Sequence, residues 1–254
     1  MVTGATDPNA FDGTLLIGWD GECVHWIALD SNGIADHGVD SEIATLTELS
    51  HRFSGAAAVK LSLLRPVCSL MPAAVAEGIE THVLGLQHGP QDHTSISRTF
   101  LSDRLGEGMA LIESGHFGSE DLFLKAFPLG QWTSSTLAAI ESGMNAARAA
   151  ASTHTVHVDV ADGRALMMRF DASGLRWCSV TEDVAGDGIL YHVVNSFHRE
   201  DVDPTAVQCR VVFSGGITED APIVHQFKRF FEAVELASAH AALGESGLLM
   251  HLAK

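Results

Sequence analysis

The sequence predicts a mixed α/β fold, of α+β character, built from a duplicated β-meander with helices after each copy. Two stretches carry that expectation. In the first, strands at 14–19, 23–29 and a short piece ending at Gly38 are divided by Asp20-Gly21 and Asn32-Gly33. Such dipeptides favour tight hairpins because Asp, Asn and Gly accept left-handed backbone angles. In the second, strands at 155–160, 165–170 and 175–180 are divided by Asp162-Gly163 and a turn near Ser173-Gly174. Each trio precedes a helix and another strand, the mark of an internal duplication.

The remaining elements follow in order. A helix is expected over 41–54, starting near Ser41 or Thr45, then an apolar strand over 56–63. Residues 66–71 read as extended, and Pro72 opens a small helix that runs to Ala76 before Gly78. The stretch 79–91 has no clear period. Residues 94–101 read as extended, 103–108 as a turn-rich connection and 109–112 as a strand. Ser119 caps a short helix to Ala126 that Pro128 stops, and a longer helix runs from Ser134 or Ser135 through Ala151 with Leu137, Ile140 and Met144 on related faces. In the second half, a helix over 184–199 bears Leu190, Val193, Val194 and Phe197, and Asp203-Pro204 turns the chain out of it. A strand over 206–213 then leads to a tight Ser214-Gly215-Gly216 loop. Pro222 opens a last helix carrying Val224, Phe227, Phe230 and Phe231. Those aromatics follow helical spacing, so they are expected to anchor a core; the alternative is an exposed protein-binding patch.

Composition narrows the function. The 254 residues suffice for one large domain or two ordinary ones, and 46% of them are hydrophobic, spread over short runs as in a globular chain. The formal charge is −17, from 32 acidic against 15 basic residues, and the only lysines are Lys60, Lys125, Lys228 and Lys254. Such a surface repels phosphate backbones, so no nucleic-acid partner is expected. The four cysteines, Cys23, Cys68, Cys178 and Cys209, lie in apolar runs without CxxC spacing and read as buried thiols. No apolar run approaches the roughly 20 residues of a membrane span, and the N-terminus lacks signal-peptide form. A cytoplasmic protein without membrane insertion is the expectation.

Four local patterns carry a resemblance: Leu70-Met71-Pro72, Val180-Thr181-Glu182-Asp183 leading into Tyr191-His192-Val193-Val194-Asn195, Val212-Phe213-Ser214-Gly215-Gly216-Ile217, and Phe227-Lys228-Arg229-Phe230-Phe231. With the duplicated organisation, they make the chain resemble the actin-like ATPase superfamily and, more narrowly, the DUF3822 family of uncharacterised proteins, from about Leu15 to Val234. The resemblance implies an actin-like ATPase fold of two ribonuclease H-like lobes around a central cleft, over 12–108 and 109–254, with the helix at 134–151 bridging them. It also implies kinship to ATPases, sugar kinases and secretion-system scaffolds, without fixing a reaction.

Such a fold surrounds phosphates with glycine-rich turns and places acids near Mg²⁺. The corresponding residues are Asp20, Gly21 and Glu22 in the first turn, Asp159, Asp162 and Gly163 in the second, and Ser214, Gly215 and Gly216 beside an adenosine. Backbone N–H groups in such turns can hold phosphate. Against this, Glu22 adds negative charge and Ala161 stands where the resemblance would place glycine, so both turns also read as ordinary hairpins. Arg164 is the basic residue next to the second turn. No P-loop is present, and Gly106-Glu107-Gly108 lacks the third glycine of a dinucleotide fingerprint.

Two histidine groups have the residue types of a metal site: His82, His88 and His93, and His154, His157 and Asp159. With 14 histidines in the chain and no His-Glu-x-x-His, no metal is expected. Ser214 lies outside a Gly-x-Ser-x-Gly elbow and reads poorly as a nucleophile. The function expected is therefore an uncharacterised scaffold for protein–protein interaction or self-association, noncatalytic or weakly nucleotide-binding, with no cofactor. The alternative is an ATPase or ATP-dependent phosphotransferase that uses ATP and Mg²⁺ at the residues named.

Overall fold

A computed structural model describes residues 11–88, 95–102, 105, 108–115, 119–150, 152–161, 163–205 and 207–253. The chain opens with strands β1 (Thr14–Trp19), β2 (Val24–Asp30) and β3 (Gly33–Asp40), helix α1 (Thr45–Arg52) and strand β4 (Ala58–Leu63). A long connection follows, holding β5 (Val67–Pro72), a 3-10 turn (Ala73–Val75), α2 (Glu80–His88), β6 (Ser95–Phe100), β7 (Met109–Gly115) and α3 (Ser119–Ala126). Then come β8 (Gln131–Trp132) and α4 (Ser135–Ala149). The second half is β9 (His154–Ala161), β10 (Arg164–Asp171), β11 (Gly174–Thr181), α5 (Gly186–His198), β12 (Cys209–Gly215), α6 (Pro222–Phe227), β13 (Ala233–Leu236) and a 3-10 segment (Ser238–Ala253).

The duplication is written in the sheets. One has the order β3-β2-β1-β4-β8; the other contains β11-β10-β9-β12-β13 in the corresponding places. In both, the meander pairs are antiparallel and the next two pairs are parallel. The second sheet continues past β11 through β5, β7 and β6, so the long connection leaving β4 extends the sheet of the other half.

Strand alternation divides the core. Leu15 and Ile17 of β1 face Leu46 and Leu49 of α1 and Phe123 of α3, whereas Leu16 belongs to a cluster with Ile140, Met144, Leu166, Phe170 and Leu249. The other face of the second sheet, with Val156, Val158 and Met167, covers α5 and α6 through Val193, Phe197 and Phe227. The shared cluster forms because α4 packs on β10 and β11, while the C-terminal segment packs on β1, β2 and β12. Ser134 caps α4 by accepting the Leu137 N–H at 2.9 Å. Gly143 keeps α4 close to its sheet: a Cβ there would lie 2.8 Å from the Phe170 ring.

The structure differs from the sequence expectation at several elements. The stretch 79–91 contains helix α2, whose weak period reflects a single buried residue, Leu84. The helix opened by Pro222 ends at Phe227, leaving Phe230 and Phe231 in the turn beyond. The Ser214-Gly215-Gly216 loop is corrected: parallel pairing with β9 continues through Ser214↔Asp159 and Gly215↔Val160, so the first two residues end strand β12. Gly215 has φ +89, and a Cβ there would lie 2.0 Å from the Val160 carbonyl oxygen. Close backbone contact accounts for that glycine. Strands β8 and β13 and the C-terminal 3-10 segment lack a counterpart in the sequence reading.

Candidate functional site

Asp20 lies just past β1, and the hairpin returns His25 opposite Gly18. Asp20 Oδ1 accepts the backbone N–H groups of Glu22 at 2.8 Å and Cys23 at 2.7 Å, which closes the turn. Its Oδ2 lies 2.7 Å from Nε2 of the fully buried His25, whose Nδ1 lies 3.0 Å from Ser246 Oγ. A carboxylate only accepts, so Nε2 carries the proton in this contact. Burial would raise the Asp20 carboxyl, but the hydrogen bonds from His25, Cys23 and Glu22 outweigh it and hold its pKa at about 2.

Asp159 is built in from the other sheet. Parallel pairing sets it beside Ser214, whose hydroxyl donates to Asp159 Oδ2 at 2.6 Å. Its Oδ1 faces Arg65 Nη2 at 2.5 Å, with the two side chains 3% and 1% exposed. Arg65 Nη2 also donates to the Glu245 carbonyl at 3.0 Å. Arg65 follows β4 in a left-handed conformation, φ +51, which a non-glycine residue holds only where its surroundings impose it.

The two meander turns face one pocket of about 390 Å³, lined by Asp20, Gly21, Glu22 and Cys23 from one side and Ala161, Gly163 and Arg164 from the other, with Arg65, Glu182 and Glu245. Asp162 lies outside the described residues, between two that line the pocket. Arg164 reaches Glu182 at 3.3 Å. Ser214, Gly215 and Gly216 do not line this pocket: Ser214 turns to Asp159, Gly215 is pressed on Val160, and a Cβ on Gly216 would lie 3.0 Å from Glu245 Cγ. Cys23 departs from the buried-thiol expectation, being partly exposed at the pocket, whereas Cys68, Cys178 and Cys209 are buried.

Sequence reading missed His25, Arg65, Glu245 and Ser246. For Arg65 a signal existed: a single cation between Leu63-Leu64 and Pro66 sits where an apolar run gives no reason for charge. For Glu245 and Ser246 there was none, since they reach Arg65 and His25 on a 3-10 segment without periodic pattern.

Neither histidine group is gathered among the described residues. His93 lies outside them, His88 Nε2 contacts the Cys68 carbonyl at 3.1 Å, and the trio with ligand atoms within 4.8 Å of one another is Asp20, His25 and Glu245. His157 packs edge-on against Phe170 at 5.7 Å, and its Nε2 is buried without a hydrogen-bond partner. Burial, with repulsion from His251 and Arg210, lowers its pKa from 6.5 to about 4. The unfolded chain therefore takes up a proton below about 6.5 that the native state refuses until about 4. Stability contributed by neutral His157 should fall over that window by about 3 kcal/mol. Urea unfolding at pH 7 and pH 4.5 should show a smaller difference in His157→Phe than in the parent; an equal difference would contradict the assignment.

No protein-family model and no curated protein sequence matches the chain. The narrower likeness to DUF3822 therefore has no support beyond the short patterns that suggested it. Among solved structures, the chain is similar to a protein of Bacteroides thetaiotaomicron VPI-5482 described as having an actin-like ATPase fold and unknown function. That match has 12% identity and a TM-score of 0.71, covering 97% of this chain and 99% of the other. A second similarity is to the PilM-PilN type IV pilus biogenesis complex, at 10% identity and a TM-score of 0.56, covering 94% and 97%. No described helix is long and apolar enough to cross a membrane. At these identities the likeness is one of architecture: the chain has a mixed α/β fold with two sheet-containing regions, resembling the actin-like ATPases.

Proposed function

We propose that this chain is a noncatalytic scaffold of actin-like fold that recognises another protein. The observation that carries the reading is the use made of the two aspartates nearest to serving Mg²⁺, Asp20, which lines the pocket, and Asp159, which is buried and does not. Asp159 is spent on a buried ion pair with Arg65 and a hydrogen bond from Ser214, and Asp20 on His25 and its own turn. Mg²⁺ at a phosphate site needs oxygen ligands and near-octahedral geometry. To supply one, Asp159 would have to abandon Arg65 inside the protein, leaving a buried cation unpaired. Glu22, Glu182 and Glu245 also line the pocket, where they oppose a triphosphate. The similarity to a complex named for two proteins, PilM and PilN, is in keeping with a protein partner.

Weak nucleotide binding is the second reading, and one feature favours it. Arg65 Nε and Nη1 are buried without hydrogen-bond partners beside a pocket that both glycine turns face. Calorimetry with Mg-ATP and with ATP alone should give a dissociation constant above about 1 mM, equivalent to less than about 4 kcal/mol, and no phosphate release over several hours. Saturable micromolar Mg-ATP binding that vanishes in a folded Asp20→Ala variant would instead put an ATPase or phosphotransferase first.

A further inference from the structure

A second pocket, of about 320 Å³, lies where β6 and β7 meet the ends of β4 and β8, and it shares no lining residue with the first. Glu113 of β7 is its most unusual member. It is 5% exposed and pairs in register with Ser97 of β6. Burial pushes its carboxyl up, and the Ser134 and Thr136 hydroxyls, which favour the ionised form, offset this only in part. Among the described residues no cation pairs with it. Glu120, Thr99 and Trp132 also line the pocket, and the lining contains no Lys, Arg or His. Lys60 lines the adjoining pocket and gives its ammonium to the Leu252 carbonyl.

We infer that this pocket receives the guanidinium group of an arginine side chain from a partner protein. A buried carboxylate without a counter-charge is unfavourable, and a cation entering the pocket relieves it. Hydroxyl oxygens of Ser97, Thr99 and Ser134 can accept the remaining N–H groups, and the Trp132 ring offers a face to a planar cation. Guanidinium suits the site better than ammonium because its fork matches a carboxylate in two places and it stacks on aromatic rings. Two observations favour a polypeptide source. The chain carries a formal charge of −17, which draws basic partners. Strand β6 is also the terminal strand of its sheet, paired with β7 alone among the described strands, so its outer edge can align an extended segment beside the pocket. The inference rests on the protein-recognition reading for the nature of the partner, but it uses a different pocket, so the Mg-ATP titration and the test below fail separately.

The test is calorimetry and NMR titration of the full chain at low ionic strength with four probes. These are the pentapeptide acetyl-Thr-Val-Arg-Val-Thr-amide, its citrulline counterpart, butylguanidine and glucose. The arginine peptide should bind at least about tenfold more tightly than the uncharged citrulline peptide and than butylguanidine. That preference should vanish in Glu113→Gln, with glucose showing no saturation. At pH 4.5, where the raised Glu113 carboxyl is mostly protonated, binding should also release protons, read as a buffer-dependent enthalpy, because a cation draws that carboxyl into its ionised form. Should Glu113→Gln fail to fold, Glu120→Gln, expected to weaken the same preference, and the proton release keep the question decidable. Equal binding of arginine and citrulline peptides, a preference that survives Glu113→Gln, or no binding at all would overturn the guanidinium site. Butylguanidine binding as tightly as the peptide would overturn the protein partner in favour of a small cation, and saturable glucose binding would mark a neutral-ligand pocket.

Discussion

Arg65→Ala should lower the unfolding free energy by about 3–5 kcal/mol, the usual cost of removing one partner from a buried ion pair. The magnitude comes from what remains: Asp159, whose side chain is 3% exposed, would keep Ser214 as its hydrogen-bond donor and lose its cation. Asp159→Ala should be similarly harmful, since it strands the Arg65 guanidinium. The Arg65→Ala, Asp159→Ala double variant should be clearly less destabilised than the two single losses added together, because groups in contact couple. The left-handed backbone at Arg65, φ +51, adds a separate signature: Arg65→Gly should be milder than Arg65→Ala by about 1 kcal/mol, glycine being free of that strain. Urea unfolding of the four variants measures all of this. A loss below about 1 kcal/mol for Arg65→Ala would mean that the pair does not hold the pocket together, and the argument against a nucleotide site at Asp159 would go with it.

Phe227→Ala should cost about 3–5 kcal/mol, as deep cavities left by lost phenylalanine rings do. Its ring is fully buried, edge-on to Phe213 at 5.0 Å and stacked on Phe231 at 5.6 Å, and Phe231 in turn approaches Phe197 at 6.3 Å. This joins β12, α6 and α5 into one core. Phe230, from the same cluster in sequence, is 44% exposed, and Phe230→Ala should stay within about 0.5 kcal/mol of the parent. Thermal unfolding of the two variants side by side is the check, and comparable losses would mean that the two rings are not divided between core and surface as described.

What the sequence determined by itself was local. Asp20-Gly21, Asn32-Gly33 and Asp162-Gly163 announce hairpins because turn chemistry acts within a few residues, and Ser134 announces α4 because a cap bonds to the next turn of its own helix. Those signals, met twice, were enough for the duplicated meander, whereas the candidacy of two of its turns as phosphate loops came from the resemblance to the actin-like fold. Elements with little local signal escaped: β8 has two residues and β13 four, too short for a period, and α2 buries one side chain. The tertiary structure decided everything that depends on pairing distant segments. It placed β5, β7 and β6 beside β11, and brought Arg65 to Asp159 and Glu245 to the Asp20 turn. The physical reason is that Coulomb and hydrogen-bond energies act over a few ångströms of space, and spacing along the chain does not reveal which groups folding will bring that close. An acid at 159 looks the same in sequence whether it awaits a magnesium ion or already holds an arginine.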